Sequence, residues 1–369
     1  MGDAHNILGE FDAAYGELSR AYAGLHTHPL SQAERRHAAD LARRLGRLRM
    51  WKGQHDNALA WLAEGQRKLG EPADADDRAT AALLHIHRGS VHYNRGRIDE
   101  AGVEGQAGLT LVAEDVAPAV QAEGFNLLAI VAWARGEDRE ALDYFDHSHR
   151  AWQSVGNTYQ AMRVLGNIGV VYFHTAEWEV AQRHYAACRA YWESIGDRDM
   201  LAHTLLNQGN IHLCQGRLDE AQLAFEAALE PWQSAQSQRW IALSHINLGH
   251  VAIEREQWQT AHERLTVSRT LLTDLAIRDL LPENDAALAE AALGMGRPEA
   301  AIELARQAEA LARELEMQPE SAAGLRVLGR AHLVLGRHAE SLHAIEASLA
   351  ISRLLATSYE VGRTLFHLM

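Results

Sequence analysis

Lysine is nearly missing from this 369-residue chain: Lys52 and Lys68 are the only two, so arginine carries almost all of the positive charge. Positive charge as a whole is in deficit, with 35 Lys plus Arg against 49 Asp plus Glu, and the net charge of −14 repels a phosphate backbone. No local basic patch is large enough to offset it, which argues against a nucleic-acid partner. Cysteine is scarce too. Cys188 and Cys214 stand far apart with no Cys-x-x-Cys pair, which argues against a disulfide framework and a thiolate zinc site and points to a reducing cytoplasm. No window reaches the uninterrupted apolar length a bilayer requires, and the N-terminal stretch holds neither a basic leader with an apolar core nor a cleavage site. The chain therefore reads as soluble and intracellular, with no membrane partner.

The motifs of common chemistry are missing as well. There is no Gly-x-x-x-x-Gly-Lys-Ser/Thr loop, no Gly-x-Ser-x-Gly elbow and no strand pattern to mount either. Histidine is plentiful, at 21 residues; His85, His87 and His92 cluster, and His147 pairs with His149. No His-Glu-x-x-His is present and no cysteine lies nearby, so surface or packing roles account for them better than a metal does. The expectation is a chain that is not an enzyme and needs no metal or cofactor.

What the sequence does contain is a repeat. Gly96-Arg97-Ile98-Asp99-Glu100-Ala101, Gly136-Glu137-Asp138-Arg139-Glu140-Ala141 and Gly216-Arg217-Leu218-Asp219-Glu220-Ala221 are variants of one phrase, and Gly296 and Gly336 open two more. Their spacings are multiples of 40, with Ala176 and Glu256 in the two missing slots and Gly53 as an earlier copy 43 residues before Gly96. Seven residues ahead of each turn lie Gly46, Gly89, Ala129, Gly169, Gly209, Gly249, Ala289 and Gly329, small enough to let a neighbouring helix come close. A turn glycine can adopt a left-handed conformation that ends one helix, and the acidic residues after it favour the N-terminal end of the next. Ala141, Ala181, Ala221 and Ala261 then lie inside that second helix, with Phe145, Tyr185, Phe225 and Leu265 four residues on, on the same face.

Trp152, Trp192 and Trp232 recur near the end of the second helix, where other copies carry Leu69, Val112 and Leu272. An aromatic ladder for a ligand is one reading; an apolar packing site against the next hairpin suits the interchange with aliphatic residues better. Gly156-Asn157 and Gly196-Asp197 close the hairpin. Pro72, Pro118, Pro282, Pro298 and Pro319 fall at junctions or in first turns, whereas Pro231 falls inside a second helix and predicts a kink.

The small residue at the eighth position, the turn residue at the fifteenth, alanine at the twentieth and an aromatic at the twenty-fourth resemble the tetratricopeptide repeat. The 40-residue period is similar to the extended repeats of kinesin light chains, of spindle adaptors and of sensor arrays in bacterial signalling ATPases. It departs from the common form in lacking a regular proline at the repeat end. The resemblance implies an all-α, right-handed superhelical solenoid of about eight helix-turn-helix repeats plus partial terminal ones. The repeats are expected at 39–81, 82–121, 122–161, 162–201, 202–241, 242–281, 282–321 and 322–361. A partial repeat at 1–38 precedes them, with its first helix cut short at Asp3 to Leu8, and the capping helix Thr357 to Met369 closes the array, its end at 362–369. These clipped ends suggest excision from a longer protein, and they could stack on a second copy to form a homo-oligomer.

In such arrays the first helices line the concave face, so the partner implied is a protein or an extended peptide. The sixth position of three repeats holds Asn167, Asn207 and Asn247. Related long-repeat arrays use asparagine there to hydrogen-bond a peptide main chain, which suits an amide that donates and accepts at once. The alternative is that these asparagines bridge neighbouring first helices. The same stripe adds Arg163, Val170 and His174, then His203, Asn210 and Cys214, then Leu243, His250 and Glu254. Charges along the groove are Arg43, Arg44 and Arg47 early, Glu283 and Glu290 in the seventh repeat, and Arg326 and Arg330 in the eighth; a solvated surface explains them at least as well as recognition. The leading expectation is a sensor or docking array of a bacterial signalling protein. A free-standing adaptor bridging two proteins is the alternative. A phosphatase or hydrolase is disfavoured, since phosphatases among peptide-signalling repeat proteins depend on an added helical bundle that nothing here resembles.

Overall fold

A computed structural model of the chain describes residues 10–25, 30–112 and 117–354. Among the described residues the regular structure is α-helical throughout, seventeen helices and no strand. The clipped first helix expected at 3–8, the closing helix expected from residue 357 and the end of the last expected repeat lie outside them.

The chain divides into two compact units, residues 1–191 and 192–369. The first contains α1 (Glu10–Gly24), α2 (Gln32–Trp51), α3 (His55–Leu69), α4 (Ala75–Asn94), α5 (Ile98–Thr110), α6 (Pro118–Ala134), α7 (Asp138–Ser154), α8 (Thr158–His174) and most of α9 (Trp178–Ile195). The second contains α10 (Arg198–Cys214), α11 (Leu218–Ser234), α12 (Gln238–Glu254), α13 (Trp258–Asp274), α14 (Leu281–Gly294), α15 (Pro298–Glu314), α16 (Gln318–Val334) and α17 (His338–Leu354). Each unit is a stack of helical hairpins in which every helix packs on the next in sequence.

One left-handed residue makes each hairpin. Gly53, Gly96, Gly136, Gly216, Gly296 and Gly336 have φ between 70° and 76°, and where glycine is missing Ala176 and Glu256 take φ 61° and 55°. At Gly216 the turn closes by Gly216 N–H donating to Leu213 O at 3.0 Å and Arg217 N–H to His212 O at 2.9 Å, which satisfies carbonyls the helix end leaves open. The same device joins hairpins at Gly156, Gly196, Gln236, Ala276 and Glu316, all with positive φ. Asn157 and Asp197 then cap α8 and α10, accepting from the N–H of Gln160 and Met200.

The small residue at the eighth position faces the large one of its own second helix. A Cβ added at Gly209 would fall 2.5 Å from Phe225, one at Gly169 2.6 Å from Tyr185 and one at Gly249 2.7 Å from Leu265, so these rings and branches nest on bare backbone. A second column of small residues, on the second helix, presses against the start of the first. Ser148 donates to Ala122 O and Ser348 to Ala322 O, both at 2.7 Å, and Cys188 Sγ lies 3.3 Å from Met162 O. The recurring tryptophans are packing groups: Trp152, Trp192 and Trp232 are all buried, and Trp232 Nε1 donates to Asp199 at 3.0 Å. Helix α11 runs unbroken through Pro231 to Ser234.

Successive first helices also touch one another, α2 with α4 and α4 with α6 in the first unit, and α10, α12, α14 and α16 in series in the second. Consecutive second helices meet less, as where Arg269 of α13 donates to Gln307 of α15 at 2.9 Å. Within each unit the first helices therefore form the inner face of the stack.

Candidate functional site

The sixth position of a first helix lies on that inner face, and the two units fill it differently. On α4 of the first unit it is occupied by His87, 5% exposed. Its Nε2 is 3.0 Å from Glu123 Oε2 on α6, and its Nδ1 is 3.4 Å from an Arg43 nitrogen on α2. Burial holds the His87 imidazole below the usual histidine range. A neutral ring then accepts from Arg43 at Nδ1 and donates to Glu123 from Nε2. Burial pushes the Glu123 carboxyl up, but the hydrogen bond from His87 and the charges of Arg43 and Arg47 outweigh it and bring it to about 2. Asp40 anchors Arg43 at 2.6 Å and Arg44 at 2.7 Å, so three successive first helices are tied together by one polar chain.

Farther along the same unit, Asn167 on α8 is half-buried and its Nδ2 lies 3.4 Å from Asn126 Oδ1 on α6. Of its stripe, Arg163 is exposed with a 3.1 Å hydrogen bond to Gln160, and Val170 is half-buried. His174 is exposed, with the Trp133 and Phe173 ring centroids each 5.4 Å from its own.

In the second unit, α10 and α12 carry His203, Asn207, Asn210 and Cys214 beside Leu243, Asn247, His250 and Glu254. Asn207, Asn210, Cys214 and Leu243 are half-buried and Glu254 is exposed. The His203 ring stands edge-on to Trp240 at 4.4 Å and to Trp232 at 5.2 Å, with Nε2 3.7 Å from Asp199. His250 Nε2 is 3.3 Å from Glu283 Oε1 on α14. Asn247 is 6% exposed, and its Nδ2 has no hydrogen-bond partner among the described residues. An amide donor removed from water and left unmatched is costly, which marks this position off from its counterpart His87.

Several charges expected along the groove are consumed between neighbouring helices. Arg330 pairs with Glu290, Glu283 faces His250, and Arg326 is buried. The histidine cluster is likewise dispersed: His85 Nδ1 meets Glu104 at 2.7 Å, and His149 Nδ1 meets Ala161 O at 2.9 Å. Among the described residues no group of three His, Cys, Asp or Glu is placed to hold a metal ion. None of their helices is long and apolar enough to cross a membrane. Sequence reasoning missed Glu123 and Asn126 as partners of the sixth-position residues; Glu123 follows His87 by 36 residues and Asn126 precedes Asn167 by 41, close to one repeat, but only stacking shows that they meet.

Residues 120–194 and 160–234 match the tetratricopeptide repeat family. No curated protein matches the sequence. Among solved structures, the apo form of the quorum sensor NprR from B. thuringiensis is 13% identical, with 93% of this chain and 96% of that one covered at a TM-score of 0.69. A Rap protein complexed with competence and sporulation factor is 12% identical, covering 90% of this chain and 97% of that one at 0.64. The signal transduction ATPase PH0952 from Pyrococcus horikoshii, which has a tetratricopeptide repeat sensor, is 14% identical, covering 99% of this chain but 56% of that one at 0.63. At such identities the likeness is one of fold. Residues 120–234 thus match the tetratricopeptide repeat family, and the same left-handed hairpin recurs on both sides of that match.

Proposed function

We propose that this chain is a non-catalytic peptide- or partner-binding array, the sensor or docking part of a larger bacterial signalling or regulatory protein. The observation that carries the reading is the α10–α12 face of the second unit, where Asn207 is half-buried and the Asn247 amide holds a buried donor with no partner among the described residues. The main chain of an extended peptide would pair with the half-buried Asn207 and Asn210 amides beside His203 and Leu243, and would reach the Asn247 donor once the side chains covering it move aside. Fold neighbours that bind peptides, such as the Rap regulator of plasmid pLS20 in complex with the Phr* peptide, support the use of this scaffold for peptides. In the first unit Arg163, Asn167, Val170 and His174 are the corresponding contacts; there the Asn126 hydrogen bond favours helix bridging as part of the Asn167 role.

A peptide-display selection against the full chain, followed by calorimetry with Asn207→Ala and Asn247→Ala, tests the reading. Selected peptides are expected to lose about tenfold or more in affinity for each variant, and again when the peptide backbone is N-methylated, with melting temperatures nearly unchanged. Unaltered affinity in both variants, or a loss that only follows unfolding, would overturn it.

A further inference from the structure

Away from the inner face, the first unit holds a cleft of about 400 Å³ between α1 and α3, closed at one side by the end of α2. Three aromatic rings form it. Tyr15 and Tyr22 of α1 both stand edge-on to Trp61 of α3, at centroid distances of 6.5 Å and 5.2 Å and interplanar angles of 73° and 88°. Trp61 Nε1 donates to the Tyr15 hydroxyl at 3.2 Å, which leaves the aromatic walls propped open by their own hydrogen bond. The volume is in the range of small-molecule sites, and the lining combines apolar rings with a few polar groups, as such sites do.

Crossed rings of this kind suit two opposite ligands, a quaternary ammonium ion or a flat aromatic group, and the charges around them decide which. The Arg49 guanidinium already covers the Tyr15 ring, 3.6 Å from its centroid. The one carboxylate of the cleft, Glu64, is fully engaged: it accepts from the Tyr22 hydroxyl at 2.6 Å, pairs with Arg67, and lies 3.8 Å from Lys68. Arg49, by contrast, has only the Gln54 amide at 2.8 Å and the Tyr15 ring as partners, so its charge is unmatched by any carboxylate among the described residues. Burial pushes the Tyr15 phenol up, yet the hydrogen bond from Trp61 and the nearby Arg49 charge lower it overall, a sign of the same positive field. In a chain of net charge −14, a cleft whose unmatched charge is positive is set up for an anion.

We propose that this cleft binds a small planar aromatic carboxylate, its ring packed on Trp61 and its carboxylate paired with Arg49. Guanidinium and carboxylate match as a charge-assisted pair, and the ring supplies the apolar contact that distinguishes an aryl acid from a simple anion. The site is separate from the peptide face proposed above and does not rest on it.

Calorimetric titration of the full chain with naphthalene-2-carboxylate, with 2-naphthamide and with benzyltrimethylammonium tests this. The carboxylate is expected to bind saturably, the neutral amide about tenfold or more weaker, and the cation not at all. Arg49→Gln is expected to abolish the preference for carboxylate over amide, while Arg67→Gln, whose charge Glu64 already meets, changes it little. Trp61→Leu is expected to weaken both aryl ligands; should it unfold the N-terminal hairpin, Arg49→Gln still decides. Equal or tighter binding of the cation or the amide, no binding of the carboxylate at millimolar concentration, or a preference that survives Arg49→Gln would each overturn the assignment.

Discussion

His87 in the first unit and Asn247 in the second occupy the same position of the repeat, at nearly the same depth, 5% and 6% exposed, yet their polar atoms fare oppositely. Both His87 nitrogens are engaged, by Arg43 of the preceding first helix and Glu123 of the following one. The Asn247 Nδ2 has no partner among the described residues. Depth in a repeat therefore does not determine the role of a polar group. The residue that the next hairpin brings alongside does, and it converts one sixth position into a structural clamp while leaving the other as a buried donor unmatched among the described residues.

The largest expected effect that separates the two is on stability. His87→Leu should destabilise the full chain by about 2–3 kcal/mol, because it strips the hydrogen-bonded partner from a buried charged network. Asn247→Leu, of similar volume, should stay within about 1 kcal/mol of wild type in either direction, since it deletes a donor that has no partner to lose. Equal losses in urea unfolding would erase the distinction.

Acidification should act next, and through the first unit alone of the pair. His87 is held below its ordinary value of 6.5 and Glu123 below 4.5, at about 2. A depressed folded-state value means that the unfolded chain binds protons first. The stabilisation is thus present at neutral pH, begins to fade as the pH drops below the ordinary histidine value, and is lost as it falls through the carboxylate range toward 2. With solvent reaching part of Glu123, the contribution should amount to about 1–2 kcal/mol, and Glu123→Gln should flatten the slope of unfolding free energy against pH between 5 and 3. An unchanged slope would remove Glu123 from the account.

Scaffold positions should respond alike in both units. Ala176 and Glu256 hold left-handed backbone without being glycine, so Ala176→Gly and Glu256→Gly should each raise stability by about 0.5–1 kcal/mol, read as a higher melting temperature. A gain in one and a loss in the other would show that the turns are not equivalent. Smallest of all, Asn207→Ala should change stability by less than about 0.5 kcal/mol, as expected for a half-buried residue with no structural clamp around it.

Much of the hairpin was legible before any coordinates. Gly216 and its equivalents signalled a left-handed turn, and Gly209 ahead of it signalled a close approach; the structure supplies the detail that Phe225 of the same hairpin is what approaches. The tryptophan column read as packing is buried. The column of Ser148, Cys188, Ser268 and Ser348 also keeps the period and was overlooked, because residues so mild in chemistry draw no attention until the Ser148 and Ser348 hydroxyls and the Cys188 thiol are seen on first-helix carbonyls. The candidate site was legible only as a stripe. That Arg330 spends its charge on Glu290, or that Arg326 is buried, depends on side chains that meet across hairpins.

The forty-residue cadence settles which backbone positions turn, which come close and which face inward, since those follow from helical periodicity and the conformational freedom of small residues. Stacking decides the rest. Whether a buried imidazole finds a carboxylate, an amide goes unmatched, or two tyrosines and a tryptophan open a cleft around one arginine depends on atoms contributed by separate helices. Hydrogen bonds and charge pairs act over a few ångströms, so their outcome exists only once those helices are brought together.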